Sequence, residues 1–212
     1  MIGHGKQSLL PGNARRVRRG SRSGPPFGTM FLLILTGSLL LGPAPVDGST
    51  QETAKEIPVE YQLKAAFLYN YVKFTTWPKS TFKDERSAYV IGVLGTNPFG
   101  YCLEKLVAKK TVRKRPIEIR HFKNHKDIRS CHVLFVSSSE HARLPKILKS
   151  LARSNVLTVS DMKGFVARGG MIHLFLKEKK IRFAVNFETI NKQPFKISSK
   201  LLKLADNWKK SD

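Results

Sequence analysis

Two stretches, Ala88–Leu94 and His132–Val136, are apolar almost without a break, and they constrain this chain more than anything else in it. A strand that is apolar on both of its alternating faces has to be covered on both, as in the centre of a mostly parallel sheet flanked by helices. The remaining pattern alternates to match. Residues 60–75 set Leu63, Ala66, Phe67, Asn70, Tyr71 and Phe74 at helical spacing. Trp77-Pro78 ends that helix, because the residue before a proline avoids helical backbone. Gly95-Thr96-Asn97-Pro98 turns into a short helix with Pro98 in its first turn. Ile117–His121 alternates as a half-exposed strand, a helix is expected from about Ala142 to Arg153, and Asn155–Val159 gives a further strand. Met171–Leu176 and Ile181–Val185 flank Lys177-Glu178-Lys179-Lys180 and read as a hairpin. Ser198 or Ser199 caps a last helix with Leu201, Leu204, Ala205 and Trp208 on one face. The fold class is α/β: a three-layer α/β/α Rossmann-like sandwich of about six strands and five helices, mostly parallel, with an antiparallel hairpin at the C-terminal edge.

The N-terminal region follows another logic. Residues 1–29 hold Lys6, Arg15, Arg16, Arg18, Arg19 and Arg22 and no acid. The apolar run Met30–Leu41 follows, and then Gly42-Pro43-Ala44-Pro45. A basic lead, a short apolar core and a small-residue exit describe a secretory signal, and the run is short for a membrane span. The expected organisation is a signal peptide or N-terminal anchor over 1–48, a linker over 49–58 and one α/β domain over 59–210. That places the domain in the periplasm.

Charge narrows the partners. Lys and Arg number 38 against 15 Asp and Glu, a net charge of +23, and removing residues 1–46 still leaves +17. Outside the cytoplasm such a domain is drawn to anionic membrane surfaces or acidic protein faces, so no nucleic acid is expected as a partner.

No cofactor is implied. Gly95–Gly100 has the glycine spacing of a phosphate loop, but Tyr101 and Cys102 stand where lysine and a hydroxyl would hold phosphate and magnesium. Ligands of parallel sheets gather beyond the strands' C-terminal ends. Those ends carry Thr96, Asn97, Ser137, Ser138, Ser139, His141, Ser160 and Asp161, a ligand crevice that also holds the groups of a hydrolase triad. No G-x-S-x-G elbow accompanies them, and each residue type also caps helices or makes turns. His121 and His125 sit among Lys123, Lys126 and Arg129, a field that repels cations, so no metal site is expected. Cys102 and Cys131 leave two readings open, a disulfide or two buried free thiols. Phe67, Leu68, Tyr71 and Phe74 likewise read either as core or as part of a partner or dimer face.

Several motifs, in order, resemble the YfiR family of exported regulators. They are Lys64-Ala65-Ala66-Phe67-Leu68-Tyr69-Asn70 with Phe74 and Trp77-Pro78, then Gly92–Gly95 before Pro98-Phe99-Gly100, Cys131–Ser137 and Leu157–Asp161. Gly164-Phe165, Gly169–Ile172, Arg182–Asn186 and Ser198–Ala205 continue the series, so the resemblance spans about residues 60–208. It implies a non-enzymatic periplasmic protein that forms a homodimer. It also implies binding to the periplasmic part of an inner-membrane diguanylate cyclase, which restrains cyclic-di-GMP synthesis. The high basic charge and long N-terminal extension depart from the family pattern.

Overall fold

In chain order the elements are α1 (Val59–Phe74), β1 (Thr75–Thr76), β2 (Tyr89–Leu94), α2 (Cys102–Val107), β3 (Thr111–Val112), β4 (Arg115–Phe122) and β5 (Val133–Val136). They continue with α3 (Leu144–Ser150), β6 (Leu157–Ser160), β7 (Ile172–Lys177), β8 (Lys180–Val185), α4 (Phe187–Asn191), β9 (Lys196–Ile197) and α5 (Ser199–Leu202). The computed structural model describes residues 57–125 and 128–206, so the apolar run Met30–Leu41, the span 49–56 and Trp208 lie outside the described residues.

Seven strands make one mixed sheet in the order β3-β4-β2-β5-β6-β7-β8, and β1 pairs antiparallel with β9 in a small ribbon. The five inner strands run parallel. The expected hairpin β7–β8 is present at one edge, and a second antiparallel hairpin, β3–β4, closes the other. The sequence pattern missed β3 because its two-residue turn, Arg113-Lys114, carries no Gly or Asn although both residues adopt left-handed backbone, φ 48° and 66°.

The continuous apolar strands behave as their pattern requires. All of β2 and β5 is buried. Ile91, Val93, Val133 and Phe135 pack on one face with Leu68 and Tyr71 of α1 and Leu103 of α2. Val90, Leu94, Leu134 and Val136 pack on the other with Leu144 and Ile147 of α3 and with Phe165. Each such side chain contributes about 1.5–3 kcal/mol by leaving water.

Three expected helices shift. In α1 the buried stripe is Lys64, Ala65, Leu68, Tyr71 and Val72, whereas Leu63 is exposed and Phe67 and Phe74 are half-buried. The helix is apolar on nearly every side, so spacing alone does not choose the inward face. The expected helix from Ala142 opens instead as a 3-10 segment, Ser138–Arg143, and becomes regular at Leu144. Pro145 explains this, since it has no N–H to bond the turn before it. Ser198 caps α5, but the helix stops at Leu202, leaving Leu204 exposed. The chain then lies along β8, where the Asp206 N–H donates to the Phe183 carbonyl at 2.9 Å.

Candidate ligand crevice and interaction face

The polar groups at the C-terminal strand ends are brought near one another but are engaged in holding the backbone. Gly95 follows β2 at φ +87°, so close under Ser139 and Glu140 that a Cβ would collide with both side chains. Ser139 Oγ accepts the Thr96 N–H at 2.9 Å. Asn97 accepts the Phe99 N–H at 2.9 Å and donates to the Gly100 carbonyl at 2.7 Å. Ser137 caps the 3-10 segment by accepting from the Ser139 N–H. Ser160 donates to the Val136 carbonyl at 2.6 Å and accepts the Met162 N–H at 3.1 Å. Ser138 and His141 are exposed, and the His141 backbone carbonyl accepts from Arg168. Among the described residues no hydrogen bond joins Ser137, Ser138 or Ser139 to His141 or Asp161, so the triad is not assembled. Two small pockets remain around Thr96, of about 330 Å³ and 350 Å³.

Asp161 has a different task. It accepts from Lys64 Nζ at 2.7 Å and from Tyr61 Oη at 3.0 Å. Lys64, only 3% exposed, also pairs with Glu60 at 2.6 Å, one helical turn back. Burial, and then the Asp161 carboxylate, push the Tyr61 phenol up to about 12. His173 of β7 borders the cluster. Its burial lowers its pKa, while its bond to the Asp161 backbone pulls the other way. A buried ammonium needs paired anions, so the cluster pins the first half of α1 over the end of β6. Sequence reading passed over Lys64 and Tyr61. The available signal was a lone charge on a helix otherwise apolar at that level, with Glu60 at the pairing distance of four residues.

This placement divides the four α1 candidates. Leu68 and Tyr71 are fully buried within the chain, and Phe67 and Tyr71 contact the Phe183 ring edge-on. Phe67 and Phe74 stay partly accessible. Beyond them, α1 exposes Val59 at 68% and Leu63 at 44%, residues one turn apart on its outer side.

Residues 61–206 match the sequence profile of the YfiR/HmsC-like family, taking in every strand and nearly all of α1. The chain belongs to that family. No curated protein matches the chain.

In this YfiR/HmsC-like protein the two thiols are free. Cys102 packs on the α1 side of the sheet and Cys131 on the α3 side, so the disulfide reading gives way to two free thiols, of which Cys131 is buried and Cys102 half-buried. Cys131 Sγ donates to the Ile128 carbonyl, and burial pushes its pKa up to about 12. His121 pairs with Glu104 of α2 at 2.8 Å. His132 is enclosed by Trp77, Phe82 and Tyr89 and accepts the Val90 N–H at 3.0 Å; burial brings its pKa down to about 4. The basic hairpin residues also build structure. Arg113 donates to the Thr75 carbonyl, and Arg115 to the carbonyls of Asp84 and Ser87 while stacking on Phe82. Among the described residues no helix is long and apolar enough to cross a membrane.

Proposed function

We propose that this chain is an exported, periplasmic regulator that dimerises and restrains an inner-membrane signalling protein of the diguanylate cyclase type by binding its periplasmic part. The family match over residues 61–206 is the observation that carries this reading, since regulation by contact is the role known for the family. The outer side of α1 supports it. Val59 and Leu63 are exposed, Phe67 is half-buried beside them, and Lys64 and Asp161 fix the helix so that this stripe is presented rigidly. Apolar groups held in place lose little entropy on binding, which favours a contact face. The Met30–Leu41 run supplies the export route, and the surplus of Lys and Arg favours approach to an anionic bilayer. The apolar cluster on each sheet face favours the three-layer, Rossmann-like description of the scaffold.

The test is to delete the gene in its host and measure cellular cyclic-di-GMP. The level rises on deletion and falls back when the wild-type chain is restored. Leu63→Arg, an exposed change that leaves folding intact, is exported and does not restore it. An unchanged nucleotide level in the deletion strain would overturn the regulatory reading.

A further inference from the structure

The two faces of the sheet are covered by layers of unequal charge. On one face lie α1, α2 and α4, where Glu60, Glu104 and Glu188 are each paired with a basic side chain. That side also exposes Val59, Leu63 and Tyr101. The other face is covered by α3 and by the β6–β7 connection, whose Met162 and Phe165 pack beside Leu144 and Ile147. Residues 141–176 hold Arg143, Lys146, Lys149, Arg153, Lys163 and Arg168 against one acid, Asp161, and Lys64 engages its carboxylate.

Leu144, Ile147, Leu148 and Leu151 recur at helical spacing toward the sheet, which turns Lys146 and Lys149 to the solvent side, where both are exposed. Arg129 donates from Nε and Nη2 to the Ser150 carbonyl at 2.9 and 2.6 Å, and Arg168 donates to the His141 carbonyl at 3.1 Å. These bonds hold the two guanidinium groups near opposite ends of α3. The carbonyls are neutral, so the charge stays uncompensated. Among the described residues Arg129, Lys146, Lys149, Arg153, Lys163 and Arg168 make no ion pair. The acids of this side are already taken. Glu140 is buried and paired with Arg143 at 2.7 Å, and Glu118 of β4 is held by Arg120 at 2.9 and 3.0 Å.

The composition of this face separates its partners. None of the large apolar side chains exposed among the described residues falls within residues 129–170. Protein interfaces concentrate aromatic anchors and are depleted in Lys, so unpaired cations without an anchor make a poor protein-binding patch. They match a plane of negative charge, where each cation near the surface adds to adsorption and no pocket is needed.

We propose that the α3 side of the domain docks on the anionic phospholipid headgroups of a bilayer. This rests on the export in the regulatory reading, which takes the domain away from nucleic acid, and it adds an orientation. The α1 helix, on the opposite face of the sheet, is turned from the lipid and leaves Val59 and Leu63 free for a protein partner.

Lysine acetylation read by mass spectrometry tests the docking on the full chain, with vesicles of phosphatidylglycerol and a neutral control of phosphatidylcholine. Phosphatidylglycerol slows acetylation of Lys146, Lys149 and Lys163, and phosphatidylcholine does not. Lys109 and Lys200, exposed on the α1 side, react at an unchanged rate with either lipid. Salt at about 1 M, where the screening length falls to about 3 Å, removes the protection. In vesicle flotation Lys149→Gln weakens binding to phosphatidylglycerol about fivefold, and Lys109→Gln changes it by less than about twofold. Both variants keep residues 1–56, so the difference between them reports the domain's own face. Equal protection on both sides of the sheet, or none on the α3 side, would overturn the proposal. So would equal protection of the same lysines by soluble polyglutamate, which would make the partner an acidic protein. The vesicles hold no signalling protein, so failure here leaves the cyclic-di-GMP measurement to decide the regulatory reading by itself.

Discussion

The two ends of the sheet divide their polar chemistry in opposite ways. At the C-terminal ends, Asn97, Ser137, Ser139, Ser160 and Asp161 sit where parallel sheets usually bind ligands, yet each one already holds backbone or Lys64. At the N-terminal ends of β6 and β7, a larger cavity is lined by Arg153 and Gln193, and among the described residues neither the arginine nor the buried Gln193 Oε1 has a partner. Residue type therefore says little about a site until the existing bonds of each group are known. Where hydroxyls and carboxylates are engaged, substitution costs stability. Where a cation makes no such bond, as at Arg153, it should cost little stability.

Mutations can break or sharpen that contrast. Removing the Asp161 carboxylate leaves the Lys64 ammonium buried beside Glu60 alone, and Asp161→Ala should lose about 3 kcal/mol in chemical unfolding. A loss near zero would mean that Lys64 reaches water. Gly95→Ala combines left-handed backbone with the clash against Ser139 and Glu140, for an expected loss of about 2 kcal/mol. For Ser160→Ala, two hydrogen bonds disappear inside the core, and about 1.5 kcal/mol should go with them.

Acid should act on His132, at the opening of β5. Its folded pKa of about 4 lies below the unfolded value near 6.5, so the unfolded chain binds the extra proton first. Stability from this group is intact above pH 6.5 and declines as pH falls toward 4, at up to about 1.4 kcal/mol per pH unit. His132→Asn, which keeps an acceptor near the Nδ1 position, should flatten that acid limb in unfolding curves taken across the window. The smallest effects belong to exposed groups. His141→Ala and Arg153→Gln should each stay within about 0.5 kcal/mol of the parent, and a larger change at His141 would give that imidazole a role in the crevice after all.

The parts of the fold that were readable from sequence are those where one force dominates. AYVIGVL and HVLFV could only be strands covered on both sides, and the β7–β8 hairpin followed from two alternating runs around a charged turn. The face of α1 was not readable, because Ala65, Leu68 and Val72 satisfy helical spacing as well as Leu63, Ala66 and Phe67 do. The choice was made by Lys64 reaching Asp161, a pairing separated by 97 positions in sequence. Strand β3 was hidden by a turn made of Arg113 and Lys114, residues that seldom adopt left-handed backbone. Thr96, Asn97, Ser137, Ser138, His141, Ser160 and Asp161 do lie at or just beyond the ends of β2, β5 and β6, but sequence cannot show that a hydroxyl is already bonded to a nearby amide.

The two border hairpins carry a consequence for assembly. Lys114 stands at one tip and Lys179 at the other, with Arg115, Lys177 and Lys180 beside them. A flat, uncharged border invites another molecule to add its own strand and begin a fibril. Here an approaching copy meets cations of its own sign, and Asp206, bridged to Ala184, already occupies part of the β8 rim. Even at high local concentration, the protein is protected from stacking without limit.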